Sequence, residues 1–522
     1  MKIQVLDTTL RDGAQGEGVV FSHEDKIQVI RALDALGVDY IEAGNPASNP
    51  KDQVFFAYAT EKLQLMHAKL VAFGSTCHAG CAAQDDPGLR ALIQSGAQTI
   101  SLFGKSSLLH VEQVLQTTPE ENLRLITDSV KLLVDHGLQV FYDAEHFFDG
   151  YNDDPDYALR TLRAAQEAGA QLIVLCDTNG GTLPGDINRI TQKVKKAISL
   201  PLAIHCHNDA GLATACTLAG IEAGAIMVQG TINGYGERCG NADLCQVIPN
   251  LELKMGHQCL PDGKLPSLSK CARLIAEIAN LSMYEHSPYV GRSAFAHKGG
   301  MHIDGMLKDR RSFEHIDPEL VGNSRRYLVS EVAGRGALMT RLAQIAPDLS
   351  KESEQTLQIM DMLKQLEQRG YSFEGAEGSL ALRVLGSLDR RRNFFEVLDF
   401  HVVSRKPEND KNAQAFVKVM VDGQQEITAD EGDGPVNALD LAIRKALTRF
   451  YPCIGRMRLR DFTVRVVDSE GSASSVRVRV ESTDGEHDWA TVGVSSNVIE
   501  ASFIALTDSI EYMLMRELDG WQ

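Results

Sequence analysis

Positive charge is in short supply. The 522 residues carry 52 Lys and Arg against 70 Asp and Glu, a net charge of -18. A chain this acidic repels a phosphate backbone or an anionic bilayer, so neither nucleic acid nor a membrane surface is expected as a partner. Long hydrophobic runs are also missing: none approaches the roughly 18 residues that a membrane span needs. The opening MKIQVLDTTLRDG has an acidic residue at position 7 and no apolar signal-peptide stretch. Cysteine is sparse, ten in all with no Cys-x-x-Cys pair, and Cys176, Cys206 and Cys216 sit inside apolar runs. Buried thiols of that kind argue against a disulfide scaffold and point to the cytoplasm. What remains is 43% hydrophobic and 23% charged, the balance of a folded globular chain, too long for one domain of roughly 100–200 residues.

Eight short β-branched runs, each followed by a helix-periodic stretch, occupy the first half: residues 3–9, 38–44, 70–75, 99–103, 139–143, 172–176, 202–207 and 226–231. The pattern predicts an α/β domain, a closed (β/α)₈ TIM barrel over 1–256, with a doubly wound open sheet as the alternative. Ser22 is placed to cap a helix carrying Ile27, Ile30 and Leu33 on one face, with Gly37 as its stop. Past Gly256 the alternation ends, and a mostly helical linker is expected over 257–379, with AFAHKGGMHIDG at 294–305 and a charged amphipathic helix around 352–369. Over 380–522 the chain repeats itself at an offset of about 62 residues: Asp399-Phe400 returns as Asp461-Phe462, and Ala438/Ala442 as Ala501/Ala505. Two βββα units are predicted there, an α+β domain for binding or assembly rather than chemistry.

His205-Cys206-His207 ends the seventh run, and period-2 alternation turns both imidazoles to one side, into the barrel mouth where barrel enzymes keep their chemistry. Asp12, after the first run, can complete an Asp/His/His set with open positions, which suits Mg²⁺, Mn²⁺, Co²⁺ or Zn²⁺. By itself Asp12-Gly13 also reads as a turn. Arg11 in a barrel interior needs an anion: a substrate carboxylate or enolate, a salt bridge to Glu42, or both. Glu145, Asp177-Thr178-Asn179 and Asn241 complete a polar ring at the strand ends. His302 is a candidate acid or base if the linker folds over the mouth.

LDTTLRDGAQ, IHCHND, NGYGERCGNADL and HKGGMHIDG together resemble the 2-isopropylmalate, homocitrate and citramalate synthase family over nearly the whole chain. DTNGGTLP at 177–184 and EAGNPASNPKD at 42–52 look most like its citramalate-forming branch, and the two late helices are similar to that family's regulatory domain. The resemblance implies a Claisen-type condensation of acetyl-CoA with a 2-oxo acid and water, with pyruvate giving citramalate for isoleucine synthesis. It implies a divalent metal on Asp12, His205, His207 and Asn241. It also implies Arg11 stabilising developing charge, Thr178 contacting the oxo acid's carboxylate, and Glu42 and Glu145 near the substrates. His302 and Tyr327 match linker positions assigned to acetyl-CoA activation, and a homodimer with isoleucine bound at the C-terminal domain is expected. Ala14 stands where many synthases of the family carry Glu. A metal-dependent acyl-CoA lyase, an isopropylmalate-forming synthase and an idle scaffold for the C-terminal domain remain the alternatives.

Overall fold

A computed structural model describes residues 1–327, 342, 345–350, 353–404, 413–467 and 474–520. The chain forms two compact units, residues 1–295 with 316–325, and residues 296–315 with 326–522.

The first unit is a closed barrel of eight parallel strands, β1 (Gln4–Asp7), β2 (Tyr40–Glu42), β3 (Lys69–Ser75), β4 (Thr99–Lys105), β5 (Gln139–Glu145), β6 (Leu172–Asp177), β7 (Leu202–Cys206) and β8 (Met227–Gly230). Each predicted run holds one of them. The open-sheet alternative fails because β1 pairs with β8 from Gln4–Met227 to Asp7–Gly230, leaving no edge. The crossover helices start and stop by local chemistry. Ser22 and Asp25 form a capping box on the helix His23–Leu36, and Gly37 closes it at φ 95°, where a Cβ is disfavoured.

Period-2 alternation sorts the barrel interior into layers. Leu6, Tyr40, Val71, Phe141, Leu172, Val174, Cys176, Ala203 and Met227 form a buried apolar plug. Two residues further along several of the same strands, the inward positions turn polar: Glu42, Asp143, His205 and Gln229, joined by Ser101 on β4, all buried. The plug is a floor, and chemistry is left to the strand ends above it.

After β8 the chain folds back on the barrel: Thr231 N–H donates to Ala242 O, Ala242 N–H donates to Cys206 O, and Asn241 bridges to His207. Gly230 permits this return, because a Cβ there would lie 2.4 Å from Ala242 O. Gly230→Ala therefore displaces the segment carrying Asn241, and urea denaturation should show about 1–3 kcal/mol lost, as for other overpacked sites.

In the second unit β9 (Ala296–His297) pairs with β10 (Arg326–Tyr327). The helices Gly300–Lys308 and Glu354–Gln368 lie within the stretch expected to be helical, and Glu377–Ser387 runs past its expected end at 379; residues 328–341, 343–344 and 351–352 of that expectation lie outside the described set. The predicted repeat is present as two antiparallel three-stranded sheets, β11 (Glu396–Ser404), β12 (Ala413–Val421), β13 (Gln424–Gly432) and β14 (Arg458–Val466), β15 (Val476–Thr483), β16 (Asp488–Ser495). Both first strands shift register at corresponding places, Val397/Asp399 and Leu459/Asp461. Their helices, Pro435–Thr448 and Val498–Asp519, bury Ala438, Ala442, Ala501 and Ala505 completely. Small residues are needed on both sides: a Cβ on Gly432 would lie 2.5 Å from Ala438 N, and one on Gly493 would lie 2.1 Å from Ala501 O. No helix among the described residues is long and apolar enough to cross a membrane.

Candidate active site

Asp12 follows β1, His205 is on β7, and His207 lies one residue beyond β7's end, while Cys206 between them is buried in the core on the other side. The strand pleat thus does what the alternation predicts. Nε2 of His205 and of His207 lie 3.5 and 3.7 Å from Asp12 Oδ2, and the imidazole centroids are 5.1 Å apart. Among the described residues this is the one group of three or more His, Cys, Asp or Glu gathered closely enough to hold a metal ion.

Asn241 Nδ2 donates to Asp12 Oδ1 at 2.9 Å. Asn241 Oδ1 and both histidine Nδ1 atoms are buried without a hydrogen-bond partner. Burial lowers the pKa of both histidines, with His207 adding to the effect on His205, so the rings are neutral near pH 7. Burial works to raise Asp12, but Arg11 and the histidines outweigh it and hold its carboxyl at about 2. Two neutral imidazoles, one ionised carboxylate and a spare amide oxygen make a donor set that fits a divalent cation.

Of the partners that the sequence allows Arg11, the Glu42 carboxylate is present, joined by that of Asp12. Its Nε donates to Glu42 Oε2 at 2.5 Å and its Nη1 to Asp12 Oδ2 at 3.0 Å. Its guanidinium lies 3.7 Å from the Phe73 ring centroid. Burial alone would depress Arg11, yet Glu42 and Asp12 push its pKa up. Glu42 is fully buried, and burial raises it against Arg11's pull. One guanidinium between two carboxylates leaves a fixed, water-poor site in which charge developing on a ligand is felt strongly.

Arg11, Asp12, Glu42, His205, His207 and Asn241 are thus brought together. Glu145 and Thr178 stand on the same rim. Glu145 is held by Lys105 at the end of β4. Thr178 Oγ1 accepts from His146 N–H at 2.9 Å, and Thr178 O accepts from Arg238. His302 and Tyr327 belong to the second unit. His302 is exposed and stacks on Phe313 with ring centroids 4.1 Å apart, and Tyr327 is half-buried on β10.

Four residues of this region escaped the sequence reading: Phe73, Lys105, Asp143 and Gln229. A signal for two of them was present. Asp143 precedes Glu145 by two on β5 and Gln229 follows Met227 by two on β8, so each shares the inward face. Burial, with Glu42 nearby, pushes the Asp143 carboxyl up to about 8.

Comparison with known proteins accords with this geometry. Residues 2–275 match the HMGL-like family, 289–371 the homocitrate synthase post-HMGL domain-like family, and 374–514 the LeuA allosteric (dimerisation) domain. A closed barrel with an acid and two histidines at its mouth is the form that the HMGL-like class takes in this chain. The curated (R)-citramalate synthase of Geobacter sulfurreducens is 47% identical over 523 residues, 99% of either chain. That of Synechocystis is 48% identical over 524 residues, 98% of this chain and 96% of the relative. A solved HMG-CoA lyase from Bacillus subtilis has a TM-score of 0.48 at 21% identity, covering 55% of this chain and 97% of that one. The chain belongs to the HMGL-like family and, within it, to the (R)-citramalate synthases.

Proposed function

We propose that the protein condenses acetyl-CoA with pyruvate and water to give (R)-citramalate and free CoA, the entry to an isoleucine route. The observation that carries this is the buried Arg11–Asp12–His205–His207 set at the barrel mouth of a chain 47–48% identical throughout to (R)-citramalate synthases. Asp12, His205, His207 and Asn241 would hold a divalent ion, Mg²⁺, Mn²⁺, Co²⁺ or Zn²⁺. When bound, the ion supplies Lewis-acid polarisation of the 2-oxo acid's carbonyl.

The chain's own groups do the rest. Arg11, fixed by Glu42 and Asp12, presents its remaining N–H groups to the oxygen that gains negative charge as the carbon–carbon bond forms. Thr178 Oγ1 already accepts a hydrogen bond from His146 N–H, which leaves its own proton to donate to a substrate carboxylate. Glu145, tied to Lys105, lies near the substrates in this reading. His302 takes the proton from the acetyl methyl, assisted by Tyr327. These last roles rest on the family resemblance of the linker motif.

The match of 374–514 to the LeuA allosteric (dimerisation) domain supports a homodimer under allosteric control, and isoleucine as the effector rests on the family resemblance. Buried, unpaired cysteines throughout the barrel suit the reducing cytoplasm.

Release of CoA thiol from acetyl-CoA with pyruvate, 2-oxobutyrate, 2-oxoisovalerate, glyoxylate or 2-oxoglutarate tests the proposal. The expected result is metal-dependent release that favours pyruvate, is abolished by chelation and is lowered by added isoleucine. Preference for 2-oxoisovalerate would move the assignment to isopropylmalate synthesis. Release with no acid would overturn the condensation.

A further inference from the structure

The polar layer that carries His205 contains an anomaly. Gln229 is 1% exposed, and both ends of its carboxamide lack a hydrogen-bond partner. Leaving a buried carboxamide unpaired is costly, and a Leu of similar size would avoid the cost. Gln229 is the in-register neighbour of His205 on the adjoining parallel strand, so the two side chains point into the barrel side by side. Asp143, also buried, is on β5 and faces the barrel interior, and the carboxamide reaches towards both His205 and Asp143. The atoms that face this gap are unpartnered as a set: His205 Nδ1, Gln229 Oε1 and Nε2, and Asp143 Oδ1.

The set is complementary. A neutral imidazole that offers Nε2 as a lone pair carries its proton on Nδ1 and needs an acceptor there. Gln229 Oε1 is such an acceptor. Gln229 Nε2 donates, and Asp143 has an oxygen to receive it whether its carboxyl is ionised or protonated. Reversing the amide would set two donors, Nε2–H and Nδ1–H, against each other, so Asp143 also fixes which way the carboxamide faces.

We infer that Gln229, oriented by Asp143, is a positioning residue for His205: it holds the ring in the Nδ1-protonated tautomer with Nε2 directed at Asp12. The inference rests on the reading of Asp12, His205 and His207 as metal ligands. Outer partners of metal-bound histidines typically contribute 10–100-fold to affinity, and β8 provides one here through strand register alone.

The test is titration of Mn²⁺ into metal-free full-length protein, followed by calorimetry and by manganese electron paramagnetic resonance. Gln229→Leu should weaken Mn²⁺ binding 10–100-fold, with the circular dichroism of the metal-free protein unchanged. Gln229→Glu, which restores an acceptor for Nδ1–H, should bind within a few-fold of wild type. Wild-type affinity in Gln229→Leu would overturn the inference alone, as would equal weakening in both variants. Failure of the wild-type protein to bind Mn²⁺ would overturn the metal reading and the inference with it.

Discussion

Asp12→Asn should lower the rate of CoA release on the order of 10³-fold, about 4 kcal/mol of barrel-mouth stabilisation at 1.36 kcal/mol per tenfold. The substitution is nearly isosteric, so it isolates charge from packing. Asp12 is the one ionised member of a donor set whose imidazoles burial keeps neutral. Asparagine at position 12 can still accept from Asn241 Nδ2 and fill the same space. What it lacks is the anion that attracts a divalent cation and offsets Arg11. Calorimetry should find divalent-ion binding lost, with circular dichroism unchanged. Metal-dependent turnover near the wild-type rate in Asp12→Asn would remove Asp12 from the site.

The second large effect is expected from Arg11→Lys, which keeps the positive charge and loses everything else. The guanidinium meets Glu42, Asp12 and the Phe73 face together, a planar fork with a stacking surface that an ammonium on a flexible stem does not reproduce. The turnover number should fall about 10²-fold or more, as when a fixed donor to developing negative charge is lost. The KM for pyruvate should move much less, since in the proposed mechanism the ground-state acid is also held by Thr178 and the divalent ion. Arg11→Gln should be worse: Glu42, fully buried, would then lack its cation and take up a proton. A drop confined to KM would show that Arg11 binds the substrate's carboxylate rather than stabilising charge in the transition state.

Much of this was legible before any coordinates. Eight strand runs with helix signals between them could be counted because parallel strands buried on both faces read as continuous apolar segments. The repeat over 380–522 showed because two copies of one supersecondary unit keep the same small residues where helix meets sheet, Ala438/Ala442 and Ala501/Ala505. His205 and His207 declared themselves through a spacing of two on a strand, a local rule that needs no knowledge of the rest of the chain. The Arg11–Glu42 salt bridge was among the pairings that the sequence allowed, and the approach of β2 to β1 brings it about.

Asp143 and Gln229 passed unnoticed for a physical reason. Each is an ordinary polar residue in a buried strand, and its meaning comes from a neighbour 86 or 24 positions away: Asp143 is read through Gln229, and His205 stands beside Gln229 because the barrel closes with β7 and β8 in one register. The long-range contacts that set such registers are side-chain packing events across the whole barrel, and no window of sequence contains them.

By itself, then, the amino-acid sequence determined the number and order of strands, the repeat, the acidic composition and the two inward-facing histidines, since periodicity, capping and composition act over a few residues at a time. Tertiary structure alone decided that Arg11 lies between Asp12 and Glu42, that Asn241 is folded back against Asp12 beside Gly230, and that Asp143 and Gln229 share the polar layer of His205. Those juxtapositions arise from barrel closure, in which the shear of eight strands, rather than any local preference, sets which residues meet.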